Sequence, residues 1–143
     1  MKISAKGRYA LRLMIDLAQH ENGEWIALKD ISQRQGISVK YLEQIVSGLS
    51  RAGLLRSSRG ASGGYQLTRS AAQYTAGEII RALEGSLAPV ACLEQEPNRC
   101  TRREICPTIR LWEGLYDVVN QYLDSYTLAD IAQAEIPGYD FSI

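Results

Sequence analysis

Histidine is almost missing: His20 is the only one in 143 residues. An HExxH metalloprotease site, which needs two, is therefore excluded. The sequence also has no catalytic triad and no glycine-rich nucleotide loop, so nothing supports turnover and the chain is expected not to be an enzyme. No CxxC occurs, which removes the closely spaced pairs that four-ligand zinc sites commonly use. No apolar run approaches the roughly 20 residues that a membrane span requires. The N-terminus MKISAKGRY lacks the apolar core of a signal peptide, so the expected address is cytoplasmic. A reducing compartment in turn argues against structural disulfides. No internal repeat is visible.

What is present suits one compact domain, or a small domain with an extension. A content of 45% apolar and 22% charged residues is ordinary for a soluble globular protein. The formal net charge of zero hides an asymmetry. Residues 1–70 carry eleven Lys/Arg against five Asp/Glu, a net of +6, and residues 71–143 carry five against eleven, a net of −6. One basic half and one acidic half is the footprint of a chain that meets nucleic acid with one part only. Chance in surface charge is the plainer explanation and the weaker one.

Periodicity supplies the elements. Residues 4–20 predict a helix capped by Ser4, with Ala10, Leu13, Met14 and Leu17 on one face. Residues 27–35 predict a short helix ended by Gly36. Ser38 caps a third, VKYLEQIVSGLSRAG, whose Leu42, Ile45 and Leu49 face inward while Lys40, Glu43, Gln44 and Ser47 fall outside the apolar stripe. LLRSS and GYQLT, joined by RGASG, read as a β-hairpin. Thr75 caps AGEIIRALEG, closed by Gly85. A longer helix is predicted from about Pro107 to Ser125. It carries two apolar rows, Leu111, Leu115, Val118 and Tyr122 beside Trp112, Val119, Leu123 and Tyr126. A small domain covers one such row easily, and the second asks for a partner helix, most simply from an identical subunit.

Helix, glycine turn, helix and hairpin describe a winged helix-turn-helix: mainly α, with a small β-hairpin wing and a long C-terminal dimerisation helix. Its second helix fits the major groove of double-stranded DNA. Ser38, Lys40, Tyr41, Glu43 and Gln44 occupy that helix's N-terminal turns. Lys40 and Tyr41 suit phosphates, Glu43 can accept from the cytosine amino group, and Gln44 can pair with adenine. Arg59, on the glycine-rich wing, suits a narrow minor groove. Such units also serve as protein-interaction modules, but the charge split favours DNA.

All three cysteines lie in CLEQEPNRCTRREIC, Cys92 to Cys106. So polar a segment is not core. A disulfide would leave one thiol over and need an oxidant. Three thiolates could ligate either zinc or an iron–sulfur cluster, and spacing with composition favours the cluster.

KGRYAL, GISVKYLEQIVSGLSRAGLL, RGASGGYQL, TAGEIIRALEG and TLADI together closely resemble the IscR/CymR/NsrR family of winged-helix bacterial regulators, across nearly the whole chain. The resemblance implies a homodimer joined by the long C-terminal helix and bound to a palindromic operator. It implies DNA contacts at Tyr41, Glu43, Gln44 and Arg59, while Lys40 departs from the serine of iron–sulfur members. It further implies a 2Fe–2S cluster on Cys92, Cys100 and Cys106, in a C-x7-C-x5-C pattern whose first gap is two residues longer than usual. The fourth ligand does not carry over. Iron–sulfur members have histidine where this chain has Ile109, and the acidic N-terminal ligand of NsrR-type members meets Arg8. His20 reads better as an exposed helix end; Asn98, Glu104, Thr108 or an exogenous thiol are the remaining choices.

The implied organisation is a DNA-binding domain over 1–85, a cluster-binding loop over 86–106, a dimerisation helix with a following short helix over 107–135, and a flexible tail over 136–143. The implied role is a regulator sensing iron–sulfur status and controlling genes such as those for cluster assembly. An alternative is a CymR-like repressor of sulfur metabolism working with cysteine synthase. The tail, which ends on Ile143 after an acidic residue, is a candidate for docking in that enzyme. An iron–sulfur electron carrier is the alternative of another class, and it leaves the winged helix without a use.

Overall fold

The computed structural model describes residues 2–134; the tail expectation lies outside the described residues. Helix α1 (Ala5–Gln19) starts on Ser4, whose hydroxyl accepts from the Gly7 N–H at 3.3 Å. Ala10, Leu13, Met14 and Leu17 are all buried, as their spacing requires. The N–H and hydroxyl of Ser4 also donate to the Glu84 carboxylate at 2.8 and 2.5 Å, which fastens the start of α1 to the end of α4 (Ala76–Glu84).

Helix α2 (Leu28–Gln35) stops at Gly36, which takes the left-handed conformation (φ 66°) that glycine adopts without a Cβ penalty. Ile37 is buried in the turn, and α3 (Val39–Arg51) then begins on Ser38, whose hydroxyl accepts from the Tyr41 N–H at 3.2 Å. Leu42, Ile45, Val46 and Leu49 anchor α3 in the core. Burying each such side chain stabilises by about 1.5–3 kcal/mol.

Strands β1 (Leu55–Ser58) and β2 (Gly64–Leu67) pair antiparallel, with Leu55 opposite Leu67 at the buried base. A rung is added before α2. Ile26 N–H donates to the Tyr65 carbonyl at 3.1 Å and receives the Tyr65 N–H at 2.8 Å. Gly64 is required there, because a Cβ would run into the Ile26 carbonyl.

Thr75 caps α4 as expected, its hydroxyl accepting from the Glu78 N–H at 3.0 Å. After Gly85 the chain leaves the body through a loop holding only a 3-10 turn at Ala91–Leu93. Helix α5 (Ile109–Asp124) begins two residues beyond Pro107. Thr108, its N-cap, makes no side-chain capping bond, so Pro107 and Thr108 stay in the preceding turn.

The short α6 (Leu128–Ala132) opens with a capping box between Thr127 and Asp130 and buries Leu128 completely. It lies against α1, and the Gln19 side chain donates to the Ala132 carbonyl at 2.9 Å. Thr127 pairs with Thr75: Ala76 N–H reaches the Tyr126 carbonyl and Leu128 N–H the Tyr74 carbonyl, both at 2.9 Å. The product is a winged helix-turn-helix, mainly helical, with its core between α1, α3, α4, α6 and the base of the hairpin.

No residue of α5 is buried. Its row Leu111, Leu115, Val118 and Tyr122 stands 62, 37, 61 and 62% exposed, while Trp112, Val119 and Leu123 are half-buried. The protomer therefore half-covers Trp112, Val119 and Leu123, leaves Tyr126 beyond α5 43% exposed, and leaves the first row bare.

Candidate functional site

The turn that ends α2 sets the start of α3 at the surface. Ser38, Lys40, Glu43 and Gln44 are all exposed, and Tyr41 is half-buried. The residues expected to read DNA thus share the outer side of one helix, whose opposite side is locked by Leu42, Ile45 and Leu49. Ser38 has a structural duty as well, since its oxygen caps the helix. Tyr41 meets Tyr9 of α1 edge to face, with ring centroids 5.7 Å apart and planes at 88°.

Arg59 is exposed where β1 gives way to the glycine-rich tip, separate in sequence from α3 but on the same basic half of the chain. The wing is braced at its base. Arg56 lies over the Trp25 ring at 5.7 Å and donates to Gln66 at 3.0 Å, and Gln66 in turn reaches the Gly23 carbonyl at 3.1 Å. Trp25 and Ile26 were missed as wing partners because a single rung leaves no periodic signal.

All three cysteines are free thiols. Cys92 and Cys100 line one open depression of about 300 Å³ with Glu94, Gln95 and Arg99. Cys106 is held elsewhere, just ahead of α5. The Thr108 hydroxyl, 3.4 Å from its sulfur, holds this thiol below its ordinary range. The backbone N–H groups of Thr108 and Ile109 and the charge of Arg102 act in the same direction. Among the described residues no three Cys, His, Asp or Glu side chains converge to hold a metal ion. The donors fit a cluster in kind, as three unpaired thiols, but fall one short of four, and only Cys92 and Cys100 share a depression.

The candidates for a fourth ligand separate. Asn98 is occupied locally: its side chain accepts from the Cys100 N–H at 2.9 Å, and its carbonyl accepts from Arg103 at 2.5 Å. Glu104 lines a second depression together with Cys100. Thr108 already contacts Cys106. His20 ends α1, exposed, with Nδ1 2.8 Å from the Asp16 carbonyl oxygen.

An exposed recognition-type helix, a braced wing, and a helix with a bare apolar face together define a winged-helix DNA-binding regulator. A family model described as "Rrf2: Iron-dependent Transcriptional regulator" matches residues 3–134, and the chain belongs to the Rrf2 family of transcriptional regulators. Among relatives, protein rrf2 of Nitratidesulfovibrio vulgaris is 41% identical over 131 residues, 92% of this chain and 87% of that protein. The structure of CymR, the global cysteine regulator of B. subtilis, superposes with a TM-score of 0.77 at 45% identity, covering 95% of this chain and 99% of that one. T. potens IscR superposes at 0.72 with 39% identity, covering 95% and 93%. Among the described residues no helix is long and apolar enough to cross a membrane.

Proposed function

We propose that the chain is a homodimeric repressor that binds a palindromic operator and senses iron–sulfur status through its cysteine loop. One observation carries this reading: every thiol in the chain lies in the segment between the winged helix and the bare-faced helix α5. A 2Fe–2S cluster, when bound, would be held by Cys92, Cys100 and Cys106, and it would supply a redox-responsive tie between parts of the loop that now lie apart. Drawing Cys106 toward the other two thiols moves the start of α5. Any resulting change in operator affinity must be matched by an equal change in cluster affinity on the operator.

Protein purified without oxygen is expected to show visible absorption together with iron and sulfide, and its operator affinity to fall with salt as phosphate contacts require. Changing all three cysteines to alanine should abolish the absorption and shift operator affinity. Equal affinity for the loaded protein and the triple variant would reject cluster sensing. Colourless, iron-free protein would favour the second reading, a CymR-like repressor of sulfur metabolism acting with cysteine synthase, which the 45% identity to the B. subtilis regulator supports.

The homodimer rests on the exposed row of α5. Val118→Glu places a charge on that row, and across a two-fold axis it meets its own copy or a buried apolar surface. The dimer dissociation constant should rise at least about tenfold, or about 1.4 kcal/mol, measured by sedimentation. An unchanged constant would place the interface elsewhere.

A further inference from the structure

We infer that Tyr9 of α1 is a positioning residue for α3, holding the Tyr41 ring in place through a polar chain anchored on the buried carboxylate of Asp16. The inference rests on the reading of α3 as the DNA-contacting helix.

Asp16 is fully buried. It takes the Arg34 guanidinium fork, with Nη2 at 2.7 Å from Oδ1 and Nε at 3.0 Å from Oδ2, and the Gln35 side-chain amide at 2.9 Å. Gln35 is thereby fixed, and it receives Arg12 twice: Nε donates to its side-chain oxygen at 3.3 Å and Nη2 donates to its carbonyl. Arg12, held in this way, sits over the Tyr9 ring with Cζ 5.2 Å from the centroid. Tyr9 presents its ring edge-to-face to Tyr41, in the first turn of α3.

The direction of this chain is what points to function. It begins at a buried carboxylate and ends at half-exposed Tyr41, beside exposed Lys40, Glu43 and Gln44, rather than in the core. Each member limits the freedom of the next, so the last ring is ordered before DNA arrives. Ordering a contact side chain in advance removes that cost from binding.

A double-mutant cycle between Tyr9 and Tyr41 tests this, using full-length protein and a duplex that the protein itself selects from a random-sequence pool. Tyr9→Leu is expected to weaken binding about tenfold, with Tyr9→Phe restoring most of it because the ring remains. The slope of log affinity against log salt should stay unchanged, since Tyr9 is neutral and releases no counterion. In a Tyr41→Ala background, Tyr9→Leu should then cost nothing further. Additive losses would overturn the inference, as would a loss in Tyr9→Phe as large as in Tyr9→Leu, the mark of a direct contact through the hydroxyl. If Tyr41→Ala alone leaves affinity untouched, the reading of α3 fails first. Should Tyr9→Leu not fold, Arg12→Lys runs the same cycle. It keeps the charge while breaking the stack and the fork to Gln35, and a loss that persists on Tyr41→Ala overturns the inference equally.

Discussion

Asp16→Ala is expected to cost the fold about 3 kcal/mol, the lower end of what breaking a buried ion pair costs. The lower end applies because the Arg34 side chain is 34% exposed and keeps some water when its partner leaves. What is lost is specific. Arg34 gives up a carboxylate that holds its guanidinium above the ordinary value through direct hydrogen bonds, and Gln35 loses its acceptor. Both residues sit at the end of α2, so α2 loses its buried polar tie to α1 and keeps only the exposed one from Arg12 to Gln35. Denaturant unfolding at fixed protein concentration measures the loss, since a dimer's stability depends on concentration. Asp16→Asn, which keeps one acceptor oxygen, should lose less. Equal losses for the two variants would show that the charge alone sets the cost, since asparagine keeps the volume and one acceptor oxygen.

Tyr74→Phe should be about as damaging, at about 2–4 kcal/mol, because one hydroxyl serves several partners. Tyr74 is fully buried, and its O–H donates to the Leu54 carbonyl at 2.8 Å. The same oxygen accepts from the Thr68 N–H at 2.8 Å and the Arg69 N–H at 3.1 Å. Phenylalanine fills the volume and leaves those backbone groups without their partner. The end of α3, the foot of β2 and the approach to α4 all meet at this oxygen, so the wing should loosen before the helices do. Hydrogen exchange at Thr68 and Arg69 should accelerate more than exchange in α1. Uniform acceleration would mean that the hydroxyl stabilises the whole body and not the wing in particular.

The elements that were legible in the sequence owe it to local chemistry. Ser4, Ser38 and Thr75 cap helices with their own hydroxyls, and Gly36 stops α2, so those boundaries needed no knowledge of the fold. The outer side of α3 followed from its inward stripe. Asp16 and Tyr74 were illegible for the opposite reason. Asp16 reads as a polar helix residue until Arg34, eighteen positions on, comes to meet it. Tyr74 reads as a loop aromatic until the wing folds back over it. The cysteine loop was legible as a set of donors but not as an arrangement, because a segment without helix or strand has no periodicity to fix which thiols meet. Pro107 and Thr108 show the same loss on a smaller scale, since neither supplies a side-chain cap to date the start of α5.

The pairing of Thr75 with Thr127 has a bearing on how such proteins diversify. The chain that leaves the body after Gly85 returns to the point where α4 began, and the Arg81–Asp124 bridge at 2.6 Å clips its two arms together. Residues 82–123 therefore form an excursion whose ends are tied independently of its contents, and the loop over 86–108 lies within it. Adding residues within it costs only loop entropy, about 0.6 kcal/mol for each doubling in length, and leaves the reading head untouched. A segment of another length or composition fits here while α3 and the wing keep their places in the body.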